Sequence, residues 1–339
     1  MEITPLIWGL TILLIVGLLV FDFIFHVRKA HIPTIGEAAV WSAVYIGAAL
    51  VFGLVFLLMG DPALATEYYA GYVTEKALSV DNLFVFLVII ASFNVPREDQ
   101  QKVLLFGIVF ALIARTGFIF LGAGLIHAFS DVFYLFGVIL LVTAAQLLRK
   151  KVTGEDPAGE ADNVIIRLAR RMFHTTEHYD GDKLVTRVDG RRVMTPMLLV
   201  MVAIGGTDIL FAVDSIPAIY GLTEEPYIVF AATAFSLMGL RQLYFLIDGL
   251  LDRLVHLSYG LAVILGFIGV KLMLHALAEN GLPFINGGQN VPVPEISTGV
   301  SLVVILAVLA VTVVSSLLAP AGRSPRGSDR VEGRVVSRR

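Results

Sequence analysis

Long apolar runs constrain the fold of this chain more than any other feature. A helix needs about 20 apolar residues to cross the hydrocarbon core of a bilayer, and lipid offers no partner to an exposed backbone group. Runs of that kind lie at residues 6–25, 37–59, 67–92, 101–124, 131–148, 196–220, 226–247, 254–277 and 299–319. The sequence therefore predicts an all-α polytopic membrane protein with about nine transmembrane helices.

The composition agrees with this class and limits the chemistry. Of 339 residues, 57% are hydrophobic and 16% are charged, whereas about 25% are charged in a soluble domain. The chain has no cysteine. This excludes disulfides, thiolate metal sites and cysteine nucleophiles, so a bound metal would need oxygen or imidazole ligands. The net charge of −3 is uninformative as a total, and we expect neither a nucleic-acid partner nor an organic cofactor.

Charged residues in the loops predict the orientation. Basic residues gather after the first span at Arg28 and Lys29, in the long loop from Arg149 and in the C-terminal tail, whereas the loops at 61–67, 221–226 and 278–298 are acidic. The loops at 93–100 and 248–253 do not follow this pattern clearly. Because cytoplasmic loops carry an excess of Lys and Arg, we expect the N-terminus outside and the C-terminus in the cytoplasm. The first apolar run indicates a membrane anchor rather than a cleaved signal.

Two segments lie outside the predicted bundle. In the cytoplasmic loop we expect an amphipathic helix over residues 162–173, on the inner leaflet, and a β-hairpin over residues 184–194. A solvated loop explains the polar run at residues 174–182 as well as a second metal site does. The basic tail is expected to be disordered, and both segments offer surfaces for protein partners.

Two acidic motifs interrupt the apolar runs. The third span contains Glu75-Lys-Ala-Leu-Ser-Val-Asp-Asn82, and the sixth contains Asp208-Ile-Leu-Phe-Ala-Val-Asp-Ser215. Each charge within a span costs roughly 2.5 to 3.5 kcal/mol, so the four carboxylates cost on the order of 10 kcal/mol. Such a cost indicates a functional site. Lys76, beside the first carboxylate, is expected to extend towards the membrane surface.

The two motifs lie in similar segments that predict an internal repeat. The motif helices are three spans apart and therefore run in opposite directions, and residues 112–115 match residues 238–241. Inverted repeats are the architecture that secondary transporters use for alternating access, although gene duplication also produces scaffolds and enzymes. The predicted parts are the N-terminal helices 1–66, a three-helix repeat 67–148, the cytoplasmic loop 149–195, an inverted repeat 196–278, an outer loop with the last helix 279–319 and the tail 320–339.

Helical geometry divides each motif between two faces. Steps of four and seven residues return near the starting angle, so Glu75, Ser79 and Asn82 share one face of the third span. Asp81 lies about 120° away, and Asp214 has the same relation to its own motif. Either each helix is broken or its two faces serve different roles.

A break in the sixth span would supply a backbone ligand. Pro217 cannot donate to the carbonyl of Val213, and Gly205-Gly206 loosens the backbone upstream, so we expect an unwound turn there. A mostly oxygen shell suits Mn²⁺, Mg²⁺ or Ca²⁺ as the transported ion. The expected metal ligands are Glu75, Asp81, Asn82, Asp208, Asp214 and Ser215.

Other polar residues in the spans are expected to support this site. Buried cations neutralise carboxylates when the metal is absent, or one of them changes partner during transport and couples ion release to a conformational change. Asp22 is expected to form an interfacial pair with His26. The supporting residues are Ser79, Arg115, Arg241, Lys271, Pro217 and Asp22.

Longer motifs resemble a known family. The runs Gly71-Tyr-Val-Thr-Glu-Lys-Ala-Leu-Ser-Val-Asp-Asn-Leu-Phe-Val-Phe86, Thr207-Asp-Ile-Leu-Phe-Ala-Val-Asp-Ser-Ile-Pro-Ala-Ile219 and Gly239-Leu-Arg-Gln-Leu-Tyr-Phe245 are similar to the TerC family, including its Alx-type members, and the resemblance covers roughly residues 10–320. It implies a bacterial inner-membrane protein linked to tellurium resistance and to manganese export, with its acidic site at the two motifs. Many members carry a carboxylate at the position of Gly205, so the coordination here differs or is completed by water.

The residues and the resemblance together predict a divalent-metal transporter rather than an enzyme. We expect a Mn²⁺ exporter that works by alternating access and exchanges the ion for protons bound by the same carboxylates. Its partners would be the metal ion, protons and the lipid bilayer. Two other classes remain open: a non-transporting scaffold in a metal or tellurite stress complex, and an intramembrane protease with two aspartates that share a proton.

Overall fold

α-Helices account for most of the described chain. The structure is a computed structural model that describes residues 3–27, 33–129, 131–153, 179–181, 183–188, 191–247, 256–280 and 291–319. The helices are α1 Pro5–Asp22, α2 Ile35–Leu58, α3 Pro62–Ser92, α4 Gln100–Ala128, α5 Val132–Thr153, α6 Pro196–Tyr220, α7 Pro226–Leu237, α8 Leu240–Ile247, α9 Leu257–Glu279 and α10 Thr298–Leu318. A short π-helical segment, Phe23–Val27, continues α1, and the strands are β1 Val185–Val188 and β2 Arg191–Met194.

The helices confirm the predicted membrane architecture. Within the described residues, 8 helical segments are long and apolar enough to cross a membrane, and α7 with α8 forms one of them. They correspond to predicted spans. The remaining predicted span is α3, a helix of 31 residues with charged side chains along its length. The chain is therefore an all-α polytopic membrane protein, and the inverted relation of its two halves stays a prediction.

Local sequence explains where several helices begin. The side chains of Thr4 and Thr34 accept hydrogen bonds from backbone N–H groups in the first turns of α1 and α2. Asp61 caps α3 in the same way. Proline follows the cap in α1, α3, α6 and α7, where its missing N–H removes no helical hydrogen bond.

The predicted β-hairpin is present beside the bundle. Strands β1 and β2 pair antiparallel, with Val185 opposite Met194 and Val188 opposite Arg191. Its turn residues, the amphipathic helix expected at 162–173, the run at 174–178 and the tail lie outside the described residues. The hydroxyl of Tyr179 donates to the carbonyl of Phe93 at 2.8 Å, so this loop is attached to the C-terminal end of α3.

Two apolar clusters divide the bundle along its helices. The boundary between their buried members falls between residues 78 and 83 of α3, between 111 and 119 of α4 and between 204 and 212 of α6. Buried polar side chains fill the intervening layer. The fold therefore places a polar layer about halfway along α3, α4 and α6.

The unwound turn expected near Pro217 is wrong. Helix α6 is continuous, and the N–H of Gly221 donates to the carbonyl of Pro217 at 2.9 Å. Proline removes only one backbone bond, and here it lies in the last turn of the helix. The break occurs instead between α7 and α8, where Gly239 has a φ of +78°, a conformation that favours glycine.

Candidate functional site

Arg115 joins the two acidic motifs within the polar layer. Its side chain comes from α4 and is fully buried. The guanidinium forms an ion pair with Glu75 of α3, and it donates to Asp208 of α6 from Nη2 at 3.1 Å and from Nε at 3.4 Å. Its Nη1 also donates to Oγ of Ser215 at 3.2 Å. Arg115 thus pairs with one carboxylate of each motif, and its role as the counter-charge in the absence of a metal stays a prediction.

Asn82 completes the surroundings of this guanidinium. In the amide orientation that satisfies both of its ends, the oxygen of Asn82 accepts from Nη2 of Arg115 at 3.1 Å, and the nitrogen donates to the carbonyl of Leu78 at 3.1 Å. Four of the five N–H donors of the arginine then have hydrogen-bond acceptors, and Glu75 contacts the guanidinium as an ion pair. The predicted ligands that surround Arg115 are Glu75, Asn82, Asp208 and Ser215.

The two helical faces predicted for each motif have different environments. The stripe of Glu75, Ser79 and Asn82 is buried, as is the equivalent stripe of Asp208, Ala212 and Ser215. Both α3 and α6 are unbroken at these positions. Each helix therefore turns only one of its acidic faces to the arginine.

Asp81 and Asp214 lie outside the contacts of Arg115, and both are partly buried. Thr143 of α5 donates to Oδ1 of Asp214 at 2.8 Å, whereas no described residue forms a hydrogen bond or ion pair with Asp81. The described part of the chain contains no group of three or more His, Asp or Glu placed to hold a metal ion. Arg115 contacts only Glu75 and Asp208 among the four motif carboxylates, and the metal-ligand assignment stays a prediction.

Glu75 has an incomplete set of hydrogen bonds for a buried carboxylate. Its side chain is 0% exposed, and one oxygen contacts Arg115. The other oxygen, Oε2, receives no hydrogen bond within the described residues. A buried acceptor without a donor is costly, so a proton or a cation at this oxygen would stabilise the folded state.

Arg241, the predicted repeat equivalent of Arg115, is held by a different carboxylate. It donates to Asp22 of α1 from Nη2 at 2.7 Å and from Nε at 3.1 Å, and its Nη1 donates to Gln101. Asp22 is buried, and the pair expected with His26 stays a prediction, because the side chain of His26 lies outside the described part of the chain. A buried arginine needs an anionic partner, and α1 supplies it.

Sequence reasoning missed the polar neighbours of this second pair. Tyr45 donates to Oδ1 of Asp22 at 2.9 Å, and Gln242 donates to the same oxygen at 2.8 Å. The one sequence feature that indicated such neighbours was Arg241 itself, because a charge in an apolar span requires several partners. The partners could not be chosen from the sequence, since they come from separate helices.

The structure also shows which groups surround the two lysines within the spans. Nζ of Lys76 donates to backbone carbonyls at the α7–α8 break, so the expected extension to the membrane surface is wrong. Lys271 lines a cavity of about 370 Å³ together with Glu67 and Glu224. In the lining of that cavity, the imidazole of His275, whose Nε2 lies 3.3 Å from Oε1 of Glu224, lowers the pKa of Glu224.

Comparisons with known proteins agree with these observations. The family described as Integral membrane protein TerC family matches residues 60–322. An uncharacterized membrane protein of Mycobacterium tuberculosis is 59% identical over 331 residues, which cover 97% of this chain and 83% of the relative. An uncharacterized membrane protein of Myxococcus xanthus is 35% identical over 316 residues, 93% of each chain.

A third relative has a name that refers to a role. This protein of Escherichia coli, named as a candidate membrane-bound redox modulator, Alx, is 37% identical over 281 residues, which cover 80% of this chain and 86% of the relative. No solved structure matches the chain. The resemblance inferred from the motifs is confirmed, and the chain belongs to the TerC family of integral membrane proteins.

Proposed function

We propose that this protein transports a divalent cation, with Mn²⁺ as the expected substrate, across the bacterial inner membrane by alternating access. The observation that carries the proposal is the fully buried Arg115, which is shared by one carboxylate from each acidic motif. Two carboxylates and one guanidinium leave one net negative charge in an apolar bundle. A divalent cation can compete for such a pair.

In the proposed cycle the cation and Arg115 alternate at Glu75 and Asp208. The oxygen atoms around the guanidinium, which include the side chains of Asn82 and Ser215, suit a hard cation. Arg115 can leave only when the carboxylates gain another positive charge, because an unpaired buried charge is costly. Cation binding would thereby be tied to a movement of α4 relative to α3 and α6.

The different partners of Arg241 and Arg115 support a transport cycle with two states. In this conformation Asp22 binds it, away from the acidic motifs, whereas its counterpart Arg115 lies between them. In a protein built from inverted repeats, the opposite-facing state exchanges the roles of equivalent elements. We therefore expect Arg241 to approach the motifs in the other state, after release from Asp22.

Protons are the proposed counter-ion. Oε2 of Glu75, which receives no hydrogen bond among the described residues, is a suitable acceptor for a proton when no metal is bound. The name of the Escherichia coli relative refers to redox modulation. Because this chain has no cysteine, thiol chemistry is not available to it, and metal flux would affect redox state indirectly.

Uptake by inside-out vesicles tests the proposal. Vesicles that contain the purified protein should accumulate Mn²⁺ under an imposed pH gradient, and Glu75→Gln or Asp208→Asn should reduce the uptake at least tenfold. The matched control is Asp131→Asn, an exposed carboxylate at the start of α5, which should transport normally. Asp81→Asn tests the second acidic face.

Two controls make the outcome decisive. Gel filtration and thermal unfolding establish that each variant is folded before its uptake is compared. Wild-type vesicles that take up no divalent ion under any gradient would overturn the transport proposal. Wild-type rates in both Glu75→Gln and Asp208→Asn would show instead that the carboxylates around Arg115 are not the ion site.

The proposed orientation places the N-terminus outside and the C-terminus in the cytoplasm. The alternation of basic and acidic loops supports it. Because the chain has no cysteine, single cysteines at Thr34 and Asp61 report the two faces without background labelling. A membrane-impermeant thiol reagent added to intact cells should label the Asp61→Cys variant only.

A further inference from the structure

The break between α7 and α8 leaves backbone oxygens outside the helical hydrogen-bond ladder. Backbone bonds around the break run from the N–H of Met238 to the carbonyl of Ala234 at 3.1 Å and from the N–H of Leu243 to the carbonyl of Gly239 at 2.9 Å. Neither bond uses the carbonyls of Ser236 and Met238. Inside a membrane protein such carbonyls need another partner.

Lys76 of α3 supplies that partner. Its ammonium nitrogen donates to the carbonyl of Ser236 at 2.9 Å and to the carbonyl of Met238 at 3.3 Å. The hydroxyl of Ser236 is buried and lies 3.4 Å from the hydroxyl of Ser79. The ammonium is therefore held by neutral oxygen atoms contributed by a broken helix.

Dipoles of backbone carbonyls, rather than an ion pair, balance the charge of the Lys76 ammonium group. Among the described residues no carboxylate forms an ion pair with Lys76, and the neighbouring Glu75 is turned to Arg115. The carbonyls at the C-terminal end of α7 carry partial negative charge. Carbonyls of interrupted helices are the groups with which membrane transporters coordinate small cations, and an ammonium group is a compact cation of this kind.

We propose that the α7–α8 break is a monovalent-cation site, and that its resident cation is the ammonium group of Lys76, tethered by its side chain to α3. The site is separate from the carboxylates around Arg115 and does not depend on the proposed transport activity. It fixes α3 to the start of α8, the helix that carries Arg241. Movement of α3 would therefore be transmitted to the second buried arginine.

Replacing the tethered cation with a free one tests this site. Lys76→Ala removes the ammonium and leaves the carbonyls, so added ammonium ion should occupy the vacated position. Unfolding temperatures of the purified protein are measured in detergent with ammonium chloride and with choline chloride at equal ionic strength. We expect ammonium to raise the unfolding temperature of Lys76→Ala saturably, by roughly 2–4 °C relative to choline.

Two further variants separate this effect from general salt stabilisation. Lys183→Ala, which removes an exposed lysine of the loop before β1, should show no difference between ammonium and choline. Lys76→Met fills the position with an apolar side chain, so it should be destabilised without responding to ammonium. Methylammonium serves as a second probe of Lys76→Ala, since it carries the same charged group with one extra methyl.

The outcomes decide the proposal without any transport measurement. An ammonium response in Lys76→Ala no larger than that in Lys183→Ala would overturn it. If Lys76→Ala cannot be purified folded in choline, recovery in ammonium alone supports the site, and failure in both salts counts against it. A protein that transports no metal can still give the expected ammonium response, so this test and that of the transport proposal fail independently.

Discussion

Replacing Arg115 with methionine would show how strongly the guanidinium stabilises the bundle. Methionine is also unbranched and favours helix, but the variant leaves Glu75 and Asp208, 0% and 1% exposed, without a cation. Removing one partner of a buried ion pair costs about 3–5 kcal/mol. At roughly 2 °C or more per kcal/mol, we expect the unfolding temperature to fall by about 6 °C or more.

Additional substitutions separate the ionic contribution from packing. Adding Glu75→Gln and Asp208→Asn to Arg115→Met removes all three charges, so the triple variant should regain most of the lost stability. The two carboxylate substitutions alone leave the arginine unpaired and should destabilise the protein to a similar extent. All variants are compared by thermal unfolding in one detergent, with Arg97→Met, an exposed arginine before α4, as the control.

Two results would refute this reasoning. If Arg115→Met unfolds at the wild-type temperature, the buried carboxylates do not need the guanidinium as their counter-charge. If the triple variant is no more stable than Arg115→Met, the loss comes from packing rather than from unpaired charge. Under the transport proposal, Mn²⁺ should also stabilise Arg115→Met more than the wild type, because the competing cation has been removed.

Three further predictions concern other parts of the molecule. Asp22→Asn removes the anion that holds the second buried arginine, so it should destabilise the protein by about 3–5 kcal/mol; a change below the noise of thermal unfolding would contradict this. The pKa of Glu224 is lowered first by its contact with the imidazole of His275; this contact stabilises the protein above the ordinary glutamate pKa of about 4.3, and the stabilisation is lost as the pH falls through the lower folded-state pKa. Glu224→Gln should flatten the acid side of the profile of unfolding temperature against pH, and an unchanged profile would argue against a stabilising contact between Glu224 and His275. Gly205→Asp would place a Cβ 2.9 Å from the ring of Phe110 and should cost at least about 1–3 kcal/mol. Phe110→Ala in the same chain should recover part of that loss, and no recovery would show that the ring is not the obstacle.

The sequence determined which residues form the spans and which motif residues share a helical face. Hydropathy over about 20 residues locates a membrane helix, and helical periodicity alone placed Glu75, Ser79 and Asn82 on one face. Both properties depend on one segment at a time. For this reason the predicted spans and the buried stripes agree with the structure.

The structure decided which charges meet. Arg115 binds the motif carboxylates whereas Arg241 binds Asp22, although the two arginines have similar sequence surroundings. The helix break also fell at Gly239 rather than at Pro217, and Lys76 turned to that break. These features depend on the positions and rotations of helices far apart in the sequence, which the pattern of a single segment does not specify.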